Sequence, residues 1–400
     1  MRICQVGPGT LPIPSGGAGG VENTVHHSSV ALMELGHRVT VIDVPNPGRS
    51  PPPYELVEAG PLWPRFSNLP EHALRGLTFQ FAVWRVLRRL LLEREFDVIH
   101  FHGQLGAGIN VRLKHNEGTL NVYGSHNATW GDENSCRSRR LKAKFFWEMD
   151  ALRAVDGVIC DSATMRVNLI RFFGIPESKV VNIPIGVDEE TLACQPVEDS
   201  LRASYRPNGS QMILNVARLA PYKDQLTLVR AMALVHEQQP QARLCLVGPC
   251  TDTSYVRKVA REVQLLGLEK RVMLLGEVPR PELLQLYELC DVFVLSSLNE
   301  AQGLSLLEAM AKAKPVVATA IGPVLEVLPA DGGVVVPPQE PGRMASAILE
   351  VLLNPARGQE TGQRGRCHAL KSYQWRSIAQ RTIHAYEAFR KGGISSGNSF

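Results

Sequence analysis

Short apolar runs recur along this chain, and between most of them lies a segment whose apolar residues return at helical spacing. In the first half the runs are 3–6, 39–44, 98–101, 120–123, 158–160 and 180–183, with helix-period segments at 21–35, 74–92, 143–154 and 164–173. A second series follows at 212–216, 243–247, 272–275, 291–295, 315–318 and 333–336, with helical patterns at 226–236, 255–266 and 281–289. Continuous apolar runs separated by helical crossovers fit parallel strands buried on both faces. The chain therefore reads as α/β, with two doubly wound units and a ligand cleft between them, facing the carboxyl ends of the strands. The units are expected at 1–190 and 208–370, and the loop-like stretches 194–199 and 206–209 mark the linker region.

Composition narrows the function classes. Of 400 residues, 44% are apolar and 20% charged, as in a globular protein with room for two or three cores. A net charge of +4 is small for this length and does not point to nucleic acid. The eight cysteines include no Cys-x-x-Cys pair, and Cys4, Cys160, Cys245 and Cys290 lie in or beside apolar runs. They read as small buried hydrophobes in a reducing compartment and disfavour a structural zinc. The opening run leaves no room for a secretory leader, and no apolar run reaches membrane-spanning length, so a cytosolic enzyme is expected. The proline-rich stretch 45–53 is expected to form a surface loop near the cleft, and 392–399 a disordered tail.

Four stretches carry chemistry. Between the runs 291–295 and 315–318 lie a polar turn and a helix, with Glu300 at its entrance and Glu308 about a turn and a half inside. Free N–H groups near Gly303, Leu304 and Ser305 would attract phosphate, while the carboxylates could accept from hydroxyls, a seat suited to a sugar nucleotide. The bland alternative is a helix-entry acid and a solvated face residue. The glycine-rich turn 16–20 opens a helix after the first run, but its spacing is not that of a dinucleotide fingerprint. Arg218 and Lys223, five residues apart on a strand-to-helix loop, can converge on a diphosphate or serve only as surface cations. His100, His102 and His126 lie at carboxyl ends of first-half strands. They are structural or chemical, and a zinc pair is disfavoured because no third ligand is evident. Basic stretches with aromatics at 137–147 and 74–92 read as solvated helix faces. The sharper alternative is a surface for anionic lipid or an anionic acceptor.

The run 300–311 followed by 315–318 resembles the Glu-seven-Glu signature of retaining glycosyltransferases of family 4. Gly19-Gly20 looks like the glycine pair through which that family touches the donor, and Arg218-Leu219 with Lys223 resembles its Arg-Leu…Lys signature. His126 matches by position the histidine that contacts the transferred sugar. The stretch 182–188 resembles the family's strand-to-linker junction, and 372–379 with Tyr386 its terminal helix, so the likeness spans nearly the whole chain. It departs at Asp224, Gln302, Ala313-Lys314 and Gly322-Pro323, which puts donor choice in doubt more than the fold.

The resemblance implies the GT-B fold, two Rossmann-like domains with a helix at 371–391 packing back on the first. It also implies metal-independent, retaining transfer of a hexose-type sugar from a UDP- or GDP-linked donor to a hydroxyl of a glycan, glycolipid or small polyol. No cofactor is implied beyond the donor substrate. Glu308 would hold the ribose, Glu300 the sugar hydroxyls, and Arg218 and Lys223 the departing diphosphate. The implied location is the cytoplasm, with a peripheral anionic-membrane contact open. The alternatives are a non-hydrolysing sugar-nucleotide epimerase and a catalytically silent nucleotide-sugar binder; an NAD oxidoreductase is a more distant one.

Overall fold

Parallel pairing accounts for every ladder between strands in both sheets. The computed structural model describes residues 1–15, 19–46, 51–60, 71–114, 117–250 and 252–393, with backbone alone for 71–76. The expectations for 16–18, for 47–50 of the proline-rich stretch and for the tail beyond 393 lie outside the described residues. The chain divides into two units, Met1–Gly186 with Trp375–Phe400, and Val187–Gln374.

The first unit holds β1 (Arg2–Val6), β2 (Arg38–Asp43), β3 (Glu55–Glu58), β4 (Val98–His102), β5 (Leu120–Ser125), β6 (Gly157–Cys160) and β7 (Val180–Asn182). Their order is β3-β2-β1-β4-β5-β6-β7. β3 is the strand the apolar pattern misses: its Glu-Leu-Val-Glu sequence is short and half exposed, as an edge strand can be. The expected helix at 143–154 is two, Arg139–Lys144 and Phe146–Ala154, with Phe145 serving as end of one and start of the next. The C-terminal helix Trp375–Arg390 belongs to this unit. Its Ile378, Ala379, Ala385, Tyr386 and Phe389 join the core of β1, β4 and β5. Phe389 lies so close over Gly157 that a Cβ there would strike its ring.

The second unit holds β8 (Met212–Val216), β9 (Arg243–Val247), β10 (Val272–Gly276), β11 (Val292–Leu295), β12 (Val316–Thr319) and β13 (Val334–Val336), ordered β10-β9-β8-β11-β12-β13. All six match apolar runs of the sequence. Two clusters of buried residues cover its faces, one led by Leu228, Met232 and Ile348, the other by Leu286, Tyr287, Leu307 and Met310. The stretch expected as linker packs here. Helix Asp199–Tyr205 ends with Tyr205 Oη donating to Glu282 at 2.7 Å, and Arg206 bonds the Leu289 carbonyl and Asp291. In each sheet the strand order reverses at one place, β1/β4 and β8/β11, where crossovers leave to opposite sides and open a crevice at the carboxyl edge.

Ala313, which stands where the family has a glycine turn, keeps the glycine conformation at φ 54°. It follows the helix Leu304–Ala311, with the N–H of Lys314 bonded to Ala309 and that of Ala313 to Met310, the pattern of a left-handed helix stop. An alanine there costs about 1–2 kcal/mol, against roughly 0.4–1 kcal/mol for the extra chain entropy of glycine. Ala313→Gly should therefore raise the urea midpoint, by about 0.5–1 kcal/mol of stability. An unchanged or lower midpoint would show that the turn carries no strain.

Candidate active site

In the second unit the crevice at β8/β11 collects six of the expected residues, Arg218, Lys223, Glu300, Gly303, Leu304 and Ser305. The loop after β8 forms a single turn, Pro221–Lys223, and then Asp224 at φ 47°, ψ 45°. Aspartate therefore takes the left-handed conformation of the glycine common in the family, and its carboxylate caps the helix Gln225–Gln238 by accepting from Thr227 N. The loop after β11 is tied to this one: Ser296 Oγ donates to the Lys223 carbonyl at 2.8 Å, and Leu298 N to the Tyr222 carbonyl at 2.8 Å.

That tie brings Lys223 Nζ to 2.5 Å from Glu300 Oε1, which also accepts from Ser297 Oγ at 2.7 Å. Both side chains are largely buried, 11% and 8% exposed. The two charges assigned separately to diphosphate and sugar are thus partners of each other. Arg218 is exposed and forms no ion pair among the described residues, and its carbonyl accepts from Gln225 Nε2. Gly303, at φ 98°, opens helix Leu304–Ala311 without any side-chain cap, which leaves the first N–H groups at Leu304 and Ser305 for an anion.

Glu308 sits one helical step deeper in a network invisible to sequence reading. Its Oε1 accepts from Arg280 Nη1 and its Oε2 from Tyr287 Oη at 2.8 Å, while Arg280 Nη2 also reaches Asp188 and Thr191. Burial alone would lower the pKa of Arg280, but Glu308 and Asp188 overcome it and raise the value. Glu308 is 18% exposed, so part of the carboxylate remains reachable.

In the first unit the three histidines form one cluster. His102 Nδ1 lies 3.0 Å from His126 Nε2 with the rings 5° from parallel, and His126 Nδ1 meets both oxygens of Asp161 at 2.9 and 3.0 Å. His100 lies against His102, tilted by 38° with the ring centroids 4.0 Å apart, and meets Tyr386 Oη at 2.8 Å through Nδ1. Gly124 makes room for this: a Cβ there would lie 2.8 Å from His126 Nε2 and 3.1 Å from His100 Nε2. Both ring nitrogens of His126 are thus engaged within the unit. Asp161, at the carboxyl end of β6, is absent from the residues expected from sequence; its signal there is a carboxylate directly after an apolar run. Gly19, at φ 97°, precedes helix Gly20–Glu34, with Glu22 beneath it accepting from Leu11 N and Thr10 Oγ1. Among the described residues no set of three or more histidine, cysteine or carboxylate side chains could hold a metal ion.

Charge in the cluster follows burial. Burial, with the His126 charge, pushes His100 down to about 3 and His102 well below its ordinary value. His126 is opposed by burial too, but Asp161 overcomes it and raises the pKa. The linkage signs are opposite. His100 and His102 stay neutral in the fold, so as pH falls below about 6.5 the unfolded chain takes up protons that the fold refuses, and stability drops. His126 contributes stability that is present below about 6.5 and lost as pH rises through its raised folded value. With two groups against one, the melting temperature should fall between pH 7 and pH 4, and His102→Asn should flatten that acid limb. A limb of unchanged slope in the variant would remove the cluster as its cause.

Comparison with known proteins agrees with this architecture. The model of the family described as Glycosyl transferases group 1 matches residues 197–368, and that of Glycosyltransferase Family 4 matches 18–191. A D-inositol 3-phosphate glycosyltransferase of Kineococcus radiotolerans is 29% identical over 96% of this chain and 95% of its own length. Among solved structures, sucrose-phosphate synthase from Thermosynechococcus elongatus aligns with a TM-score of 0.79 at 23% identity, over 98% of this chain and all of that one. Anabaena HepE in complex with UDP-glucose aligns at 0.71 and 20% identity, over 97% and 100%.

Proposed function

We propose that this chain, which belongs to the group 1 glycosyltransferases of family 4 and has their GT-B fold, is a retaining enzyme that works without a metal. It moves a hexose-type sugar from a UDP- or GDP-linked donor to a hydroxyl of a glycan, glycolipid or small polyol. The observation that carries this reading is the second-unit crevice: Arg218, without an ion pair among the described residues, Lys223 beside Glu300, and the uncapped helix start at Gly303 stand on adjacent loops. HepE, solved with UDP and with UDP-glucose, supports a nucleoside diphosphate donor.

The chemistry follows from charge. Cleaving the sugar–phosphate bond leaves negative charge on the diphosphate, and fixed cations stabilise it as it grows. Arg218 offers a planar fork and Lys223 a point charge, and the N–H groups of Leu304 and Ser305 add the field of the helix. A diphosphate competes with Glu300 for Lys223, which frees carboxylate acceptors for the sugar hydroxyls. Glu308 takes the ribose, and Gly19 and Gly20 approach the donor through backbone. His126, oriented by Asp161, contacts the transferred sugar by exchanging its His102 hydrogen bond for a hydroxyl. The leaving phosphate itself accepts the acceptor's proton, so no separate base is assigned.

The test is a panel of UDP-, GDP- and ADP-sugars, read by mass spectrometry with and without EDTA. Transfer should survive EDTA, and Arg218→Ala and Lys223→Ala should each lower kcat by about 10²- to 10³-fold, more than they raise the donor KM. Unchanged turnover in both variants, or abolition by EDTA, overturns the mechanism. Donor isomerised without any acceptor would identify an epimerase.

For the acceptor side, an anionic lipid surface is supported by the helix Glu71–Glu93. It exposes Phe81 and Leu92 (52% and 83%) beside Arg85, Arg88 and Arg89, and the basic helix Arg139–Lys144 belongs to the same unit. Among the described residues no helix is long and apolar enough to cross a membrane. Co-sedimentation with phosphatidylglycerol vesicles should weaken when Arg88, Arg89, Arg139 and Arg140 are reversed to Glu, and equal binding would remove the lipid reading.

A further inference from the structure

Arg280 is the first residue of the helix Arg280–Leu289, where a cation opposes the helix dipole. It is nevertheless only 11% exposed, and its guanidinium spans Glu308, Asp188 and Thr191, with Glu190 at 4.0 Å. A residue placed against its local preference, in a network of this density, marks a position chosen for something other than helix formation.

The network fixes one carboxylate. Arg280 Nη1 donates to Glu308 Oε1, and Tyr287 Oη, fully buried, donates to Oε2 at 2.8 Å. The guanidinium cannot follow a turning carboxylate, because its other nitrogen is bonded to Asp188 Oδ2 at 2.9 Å and Thr191 Oγ1 at 2.5 Å. Each carboxylate oxygen keeps one further acceptor site, so two remain, spaced as the two oxygens are. Two vicinal hydroxyls can occupy both, whereas a sugar lacking one hydroxyl leaves an acceptor without a donor. A carboxylate free to rotate would turn the idle oxygen toward solvent and lose much of that discrimination.

We propose that Arg280, with Tyr287, is a positioning residue that locks Glu308 so that the site selects a ribonucleotide over its 2′-deoxy counterpart. This rests on the assignment of Glu308 to the ribose. Asp188 and Thr191 extend the lock to the segment where the chain enters this unit.

Calorimetric titration of the full chain with UDP and 2′-deoxy-UDP, or the guanosine or adenosine pair if the donor panel selects it, tests the proposal. The native chain should prefer the ribonucleotide by about ten-fold or more, the effect of one unpaired acceptor. In Arg280→Gln the ratio should fall to about two-fold, with the donor KM rising more than kcat falls, and Arg280→Lys should recover part of it. Arg280→Gln also leaves Glu308 and Asp188 without their cation, so Tyr287→Phe and Thr191→Val are measured beside it, and each should lower the ratio. If the native chain prefers the ribonucleotide and the folded variants keep the full ratio, the lock is overturned while the ribose assignment stands. If the native chain shows no preference, the ribose assignment falls and the lock with it.

Discussion

In a parallel sheet every strand must be followed by a crossing back to the start of the next, so all carboxyl ends face one edge. Helices cover both faces of each sheet, so polar groups are presented by loops at its ends, and the loops that follow the strands all gather at the carboxyl edge. Arg218, Lys223 and Glu300 follow carboxyl ends of β8 and β11, and His102, His126 and Asp161 stand at those of β4, β5 and β6. The chemistry is therefore gathered by a constraint on chain return rather than by any local signal.

Once gathered, the charged groups satisfy one another. Lys223 meets Glu300, Arg280 meets Glu308 and Asp188, and His126 meets Asp161. A charge withdrawn from water must be paired or neutralised, so an ion pair in the site and a ligand contact are competing uses of the same atoms. Arg218, exposed and without an ion-pair partner among the described residues, is a cation available without such an exchange. This difference separates two residues that the motif alone treats alike.

Departures from the family pattern are tolerated where backbone geometry survives them. Asp224 and Ala313 each replace a common glycine and each remains left-handed, at φ 47° and 54°. Aspartate adds a helix cap in exchange for the strain, whereas alanine adds nothing of the kind. The turn is thus dictated by the elements it joins, and the residue accommodates it at a cost.

The order of strands and helices was legible because apolar periodicity is local: among the described residues twelve of thirteen strands coincide with runs readable in sequence, and β3 escaped because its pattern is short and half polar. The motif residues were legible as types, and likeness to a family supplied their roles. What sequence could not disclose was partnership. Lys223 and Glu300 are 77 positions apart, Arg280 and Asp188 are 92, and His100 and Tyr386 are 286. Such meetings depend on which strands become neighbours and in what register, and that is decided by packing two apolar faces, not by the residues that meet. The sequence by itself therefore determined the units and the chemical groups along their edges. Only the tertiary structure decided which groups neutralise, orient or leave free their neighbours, because hydrogen bonds and ion pairs act over a few ångströms in space, whatever their separation along the chain.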